Sequence, residues 1–334
     1  MNFRTQIPIT KQTNNLIGYQ SKILLLGSCF SENIGAKFEY YKFQNTVNPF
    51  GILFHPKAIE TFLERVVKQN FYSEDDLVFH NERYHCFDAH SSLSNSNKEA
   101  LLSNLNTILK STHQQITEST HLIITLGTAW VYEYIERKKV VANCHKISQK
   151  DFRKKILSVA DTTNCLQNIE QLVRGLNSTI QLIYTVSPVR HIKDGFIANQ
   201  QSKAHLLSAI HNVIAIDPNN YLEKQSQHLS SRAQSRGLSY FCSYEIMMDD
   251  LRDYRFYAED MLHPNQMAID YIWQQFQAVW FHEITKPVMK KVAVIQNGLA
   301  HRPFNRESEL HQQFLKQLDI KAQNLLTDFP FMKF

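Results

Sequence analysis

Short apolar runs recur along this chain, each followed by a helix-length amphipathic stretch, and that alternation restricts the fold more than any other feature. The runs are Ile23 to Leu26, Thr46 to Ile52 broken by Pro49, His121 to Leu126, Gln181 to Val186 and Leu238 to Cys242. Segments this short and this continuously apolar read as strands covered on both faces, the pattern of a parallel sheet. Between them, "HPKAIETFLERVV" sets Ile59, Phe62, Leu63, Val66 and Val67 on one helix face, with Pro56 suited to the first turn. Further helices are expected at Lys98 to Ile116, Cys165 to Leu176 and Ser202 to Ile214. Helices that join successive parallel strands by right-handed crossovers cover both sheet faces. The expected fold is therefore a three-layer α/β/α sandwich on a mostly parallel sheet of five strands.

Two segments depart from this rhythm. "WVYEYIERKKVVANCH" alternates around a charged turn and predicts a β-hairpin inserted near residues 130–145. After Lys286 the composition shifts, and Leu310, Phe314, Leu315 and Leu318 mark a late amphipathic helix that either packs on the domain or meets a partner, leaving a homo-oligomer open. The expected organisation is a domain over 1–285 and a C-terminal helical extension over 286–334.

Composition narrows the class of function. A net charge of +5 is spread along the chain apart from clusters such as Arg137–Lys138–Lys139 and Arg153–Lys154–Lys155, which read as solvated turns, so nucleic acid is a weak expectation. The opening "MNFRTQIPITKQTNN" has no continuous apolar core of a signal peptide, and no uncharged apolar run approaches the ~18 residues of a spanning helix. The five cysteines, at 29, 86, 144, 165 and 242, show no paired spacing and no CxxC, which fits reduced thiols in the cytoplasm. A metal set would have to gather His55, Cys144, His145 and His263 from separate loops; neither a metal nor another cofactor is expected.

The stretch "ILLLGSCFSENIG" carries the first chemical signal. A strand that ends at Gly27 and feeds a helix lifts Ser28 to the carboxyl edge of the sheet, where α/β proteins bind ligands, beside the free N–H groups of a helix start. The same position suits a simple helix cap, so this stretch alone leaves both roles open. The second signal lies in "EDMLHPNQMAIDYIW", where Asp260 and His263 have the spacing at which a carboxylate orients an imidazole. Cys29 is a rival nucleophile, but neighbouring helical residues point roughly 100° apart, so only one of the pair can face a given base. His145 and His191 are rival bases or substrate contacts without an acid at that spacing. Arg190 can bind a substrate carboxylate or phosphate through its fork, with an ion pair to Asp249 or Asp250 as the competing role. Arg252, Asp253 and Arg255 read as an ion network under the His263 loop.

A serine at the end of the first strand and Asp-x-x-His after the last resembles the SGNH hydrolases. The chain more closely resembles the GSCFA family: Gly27-Ser28-Cys29-Phe30 is followed here by Ser31, and "NPFGILFHP", "TLGTAW", "NCHK", "SPVRH" and "YEIMMDDLRDYRFYAEDMLHP" look like that family's motifs. The resemblance implies a flavodoxin-like sheet, Ser28 as nucleophile, and Asp260 and His263 as its partners. It also implies an esterase or acyltransferase acting on an acyl ester, including one on a carbohydrate, or a non-catalytic binding module on the same fold. SGNH enzymes bind the oxyanion with the serine N–H, a glycine N–H after the second strand and an asparagine side chain after the third. Gly51 matches the glycine, but Gly127-Thr128-Ala129-Trp130 has no asparagine. Asn48, Thr128 and Asn143 are the candidate substitutes, with Asn48 first and a turn made with Pro49 as its competing role.

Overall fold

The computed structural model describes residues 6–215 and 237–334. Its strands, in chain order, are β1 (Lys22–Gly27), β2 (Gln44–Val47), β3 (Leu77–His80), β4 (Arg83–Cys86), β5 (His121–Leu126), β6 (Trp130–Tyr134), β7 (Lys139–Val141), β8 (Phe152–Ile156), β9 (Gln181–Val186) and β10 (Leu238–Phe241). Five of them make the central sheet, in the order β10-β9-β5-β1-β2, with every neighbouring pair parallel. β1 continues to β2 on one side, while β5 lies on its other side, so the direction of winding reverses between β1 and β5. In open α/β sheets ligands bind at the carboxyl end of such a reversal.

Alternate residues of each strand feed two cores. Leu24 and Leu26 of β1, with Leu122, Ile124, Leu182 and Tyr184, pack against α2 (Pro56–Lys68), α3 (Lys98–Glu118), α4 (Val159–Leu176) and α5 (Phe196–Ala215). On the opposite face Ile23, Leu25, Ile123 and Ile183 pack against α1 (Cys29–Tyr40) and the helix Gln266–Trp280. Phe38 lies at the centre of that second core, with edge contacts to Phe43, Trp273 and Phe276. The helices Thr285–Ala300 and Glu309–Asp328 join the same core through Met289, Val292, Ile295, Ala322 and Leu325. This is the expected three-layer sandwich.

The differences from expectation have local causes. The second strand ends at Val47, because Asn48 turns the backbone into the left-handed region (φ 40°) before Pro49. α4 starts six residues before Cys165, at Val159, where Ser158 and Asp161 form a reciprocal capping box. The hairpin of β6 and β7 gains β8 as a third antiparallel strand. Arg153, Lys154 and Lys155 therefore lie in a strand rather than a turn, with Lys155 and Arg153 on Glu133 and Lys154 paired with Asp194. β3 and β4 add a further hairpin that has no clear alternation in sequence. In the last helix Leu318 is buried, but Leu310, Phe314 and Leu315 are exposed; the inward stripe runs through Leu318, Ala322 and Leu325. Among the described residues no helix is long and apolar enough to cross a membrane.

Candidate active site

The geometry around Ser28 begins with Gly27. Gly27 has φ +133°, and a Cβ there would stand 2.1 Å from Thr125 O, so only glycine lets β1 run this close to β5 as it turns out of the sheet. Ser28 follows with extended dihedrals as the N-cap of α1. Its Oγ accepts the Phe30 N–H at 3.3 Å, and among the described residues nothing accepts its own proton. The cap role is thus realised, and the residue is 1 % exposed. Its backbone N–H donates to Thr125 O at 3.0 Å, extending the β1–β5 ladder by one bond.

Asn48 reaches the same place from the end of β2. Its Oδ1 accepts the Gly27 N–H at 2.9 Å, while Nδ2 is buried without a partner. Buried amide donors are almost always satisfied, so an orphan at the reversal point of the sheet calls for a partner, water or ligand. The Gly51 N–H donates to Asn48 O at 2.8 Å, closing the turn through Pro49. Gly51 has φ +73°, and a Cβ there would come within 2.3 Å of the His90 Cβ.

The other proposed donors are occupied or distant. Thr128 Oγ1 accepts the Trp130 N–H and shares a hydrogen bond with Ser202 Oγ, tying the end of β5 to α5. Asn143 accepts the His145 N–H at 2.8 Å, and its own N–H donates to Phe87 O, which sets it in the small-sheet region. His145 belongs there too: Nε2 bonds Cys86 O at 2.7 Å, and the ring lies 4.6 Å from that of His85. Burial lowers its pKa to about 4. His55 caps α2 through Nδ1 and bonds Val141 O through Nε2. Among the described residues no three His, Cys, Asp or Glu side chains gather as a metal site.

Asp260 and His263 are joined. His263 Nδ1 lies 2.6 Å from Asp260 Oδ2, and Asp260 Oδ1 accepts the N–H groups of Leu262 and His263 at 2.9 and 3.0 Å. Those backbone donors, followed by the imidazole, hold the Asp260 carboxyl down at about 2. The loop is folded back on itself by Ala258 N–H to His263 O, with Met261 in the left-handed region (φ 59°). It is fastened to the sheet edge where the Arg190 N–H donates to Leu262 O at 3.1 Å.

Arg190 is held by aromatic rings. Its guanidinium lies 4.2 Å from the Tyr257 ring centroid and 5.5 Å from that of Tyr254. The expected acidic partners are engaged elsewhere: Asp249 pairs with Arg252, and Asp250 accepts from Tyr271 and the Ile7 N–H. Arg255 pairs with Asp253, in an exposed position.

His191 sits deeper, against Phe54 and Gly127, where a Gly127 Cβ would meet its Nε2 at 3.1 Å. That nitrogen is buried and unpartnered. Burial first, and then the charges of Lys203 and His263, push its pKa down to about 3, so the ring is neutral. Burial also raises the Cys29 thiol, with Glu32 adding to the effect, which keeps the rival nucleophile protonated.

Lys203 is the site residue that the sequence reading missed. It is 1 % exposed on α5, and its Nζ donates to Gly127 O and Ser187 O, both at 2.8 Å. Burial lowers its pKa to about 7. The available signal was its position on the buried stripe of α5, three residues before Leu206 and seven before Ile210, where a lysine is out of place.

No curated protein matches the chain in a search of such proteins. Family profiles do match: the C-terminal domain of GSCFA domain proteins over residues 292–334, and the GSCFA family over residues 22–276, a span that holds Ser28, Asn48, Lys203 and the Asp260–His263 pair. The chain belongs to the GSCFA family.

Proposed function

We propose that this protein is a serine esterase or acyltransferase of SGNH type that acts on an acyl ester, esters of carbohydrates included. The observation that carries the reading is the Asp260–His263 pair, whose loop is fastened at the sheet edge that also bears Ser28. With Nδ1 directed at Asp260, the imidazole keeps Nε2 free to take the Ser28 proton. Ser28 Oγ then bonds to the acyl carbon, and the ester C–O bond breaks as the leaving oxygen receives that proton. Water or an acceptor hydroxyl, deprotonated in turn by His263, then bonds to the acyl carbon, and the Ser28 Oγ–acyl bond breaks as His263 returns that proton to Ser28. The unpartnered Asn48 Nδ2 is the donor for the oxyanion, and Arg190 is available to a carboxylate or phosphate on the substrate. The free state of all five cysteines supports a reducing, cytoplasmic setting.

The burial of Ser28 and its cap bond to Phe30 favour a second reading, a ligand-binding module on the same fold. A fluorophosphonate probe separates the two. Labelling that is lost in Ser28→Ala and in His263→Ala supports the enzyme; well-folded protein that does not label supports the binder.

A further inference from the structure

The chemistry assigned to Ser28 leaves one buried cation without a task. Lys203 is enclosed on every side, and its two hydrogen bonds go to carbonyls one residue past the ends of β5 and β9, where the register of parallel pairing stops. Among the described residues no carboxylate pairs with it. The groups that face it are Gly127 O from the β5 loop, Ser187 O and His191 from the β9 loop, Cys29 from α1, and the Tyr244 ring 5.6 Å away in the segment after β10. An isolated ammonium in such a place is costly, and a neutral donor or a water would satisfy two carbonyls at less expense. The charge therefore calls for a role beyond filling space.

The bonds around it suggest one. On one side Leu53 N–H holds Gly27 O, and Gly127 N–H holds Phe54 O, so the loops after β1, β2 and β5 form one connected unit. On the other side Arg190 N–H holds Leu262 O, which joins the loop after β9 to the Asp260–His263 loop. Lys203 bridges the two units through Gly127 and Ser187.

We propose, resting on the reading of Ser28 as nucleophile, that Lys203 is a positioning residue whose ammonium clamps the Ser28–Asn48 half of the site to the His263 half. The clamp is strongest when charged, since charge-assisted hydrogen bonds are roughly twice as strong as neutral ones. Burial places the loss of that charge at about pH 7, so the clamp loosens within the neutral range.

The test is the rate at which a fluorophosphonate labels Ser28 between pH 5.5 and 9, in the wild type, Cys29→Ala and Lys203→Met. The rate in the wild type should fall by roughly tenfold above neutrality, as charge-assisted bonds give way to neutral ones. Cys29→Ala should keep the fall, which excludes the thiol as its source. Folded Lys203→Met should label slowly at every pH and show no alkaline fall. A wild-type rate that stays level above pH 7, or a fall that persists in folded Lys203→Met, overturns the clamp while leaving Ser28 as nucleophile. If Lys203→Met does not fold, the wild-type and Cys29→Ala profiles decide: a shared alkaline fall supports the clamp and a level rate overturns it. Absence of labelling at all pH values is a different result, since it removes the nucleophile itself and the clamp with it.

Discussion

Asn48 holds two roles in one side chain, and substitution can separate them. Replacing it with alanine removes Oδ1 from the Gly27 N–H, a 2.9 Å bond whose loss leaves a buried donor unsatisfied at about 1–3 kcal/mol. It also removes Nδ2, which is already an orphan, and so recovers a penalty of about the same size. The remaining cost is conformational. At φ 40° alanine suffers a left-handed penalty of roughly 1–2 kcal/mol, which glycine avoids. Glycine in turn gains unfolded-state entropy that costs about 0.4–1 kcal/mol. Asn48→Gly should therefore lie within about 1 kcal/mol of wild type, with Asn48→Ala roughly 1 kcal/mol below it. Both should lose turnover by about a hundredfold or more, the effect of deleting one oxyanion donor. Urea unfolding gives the stabilities, and single-turnover hydrolysis of an activated ester gives the chemical step. A glycine variant that keeps full turnover, or one whose activity falls only in proportion to its folded fraction, would show that Asn48 is a turn residue and nothing more.

Three further outcomes are expected. Ser28→Ala should abolish ester hydrolysis and cost about 1 kcal/mol as a lost N-cap, whereas Cys29→Ala should leave hydrolysis largely intact; the opposite pattern in folded proteins would reassign the nucleophile. Gly27→Ala should destabilise by roughly 2–5 kcal/mol, from a Cβ driven against the Thr125 backbone together with an unfavourable φ, and an unfolding midpoint equal to wild type would contradict the packing at the β1–β5 edge. Because the carboxyl of Asp260 is held down at about 2, its bond to His263 is fully present above the ordinary carboxylate value of 3.8 and is lost only as pH falls through about 2. An NMR titration of the Asp260 side-chain carboxyl carbon should therefore show no protonation between pH 7 and pH 4, and a transition with its midpoint above 4 would show that the bonds to Leu262 and His263 do not hold the carboxyl down.

The legible part of this molecule is the part written in local pattern. His121 to Leu126 and Gln181 to Val186 are strands to the residue, because a run buried on both faces needs no partner to declare itself. Asp260 and His263 were readable for a related reason: their hydrogen bond spans three residues and depends on one loop. β8 was not, since "FRKKI" gains its strand character only by pairing with β6. Nor was the end of β2, where an asparagine in the left-handed region cuts short a run that looks continuous.

The site's polar groups divide along the same line. In sequence Thr128 and Asn143 stand behind Asn48 as candidate donors, and all three follow strands in loops. Long-range contacts distinguish them: Ser202, 74 residues away, engages Thr128, and the bond from the Asn143 N–H to Phe87 O sets that residue in the small-sheet region, whereas Asn48 reaches Gly27 and keeps a buried amide that nothing claims. His191 follows the same logic, being unremarkable in "SPVRH" and yet buried with an unpartnered Nε2 beside Gly127. Lys203 takes it furthest, as a charge set into an apolar helix stripe. An orphan amide, an orphan imidazole and a buried ammonium without a carboxylate each carry an energetic cost in the folded chain. Lys203 directs its charge to Gly127 O and Ser187 O, whereas the amide and the imidazole stay unpaired at the carboxyl edge where the sheet reverses its winding, and a ligand bound at that edge would explain both better than two independent lapses in packing.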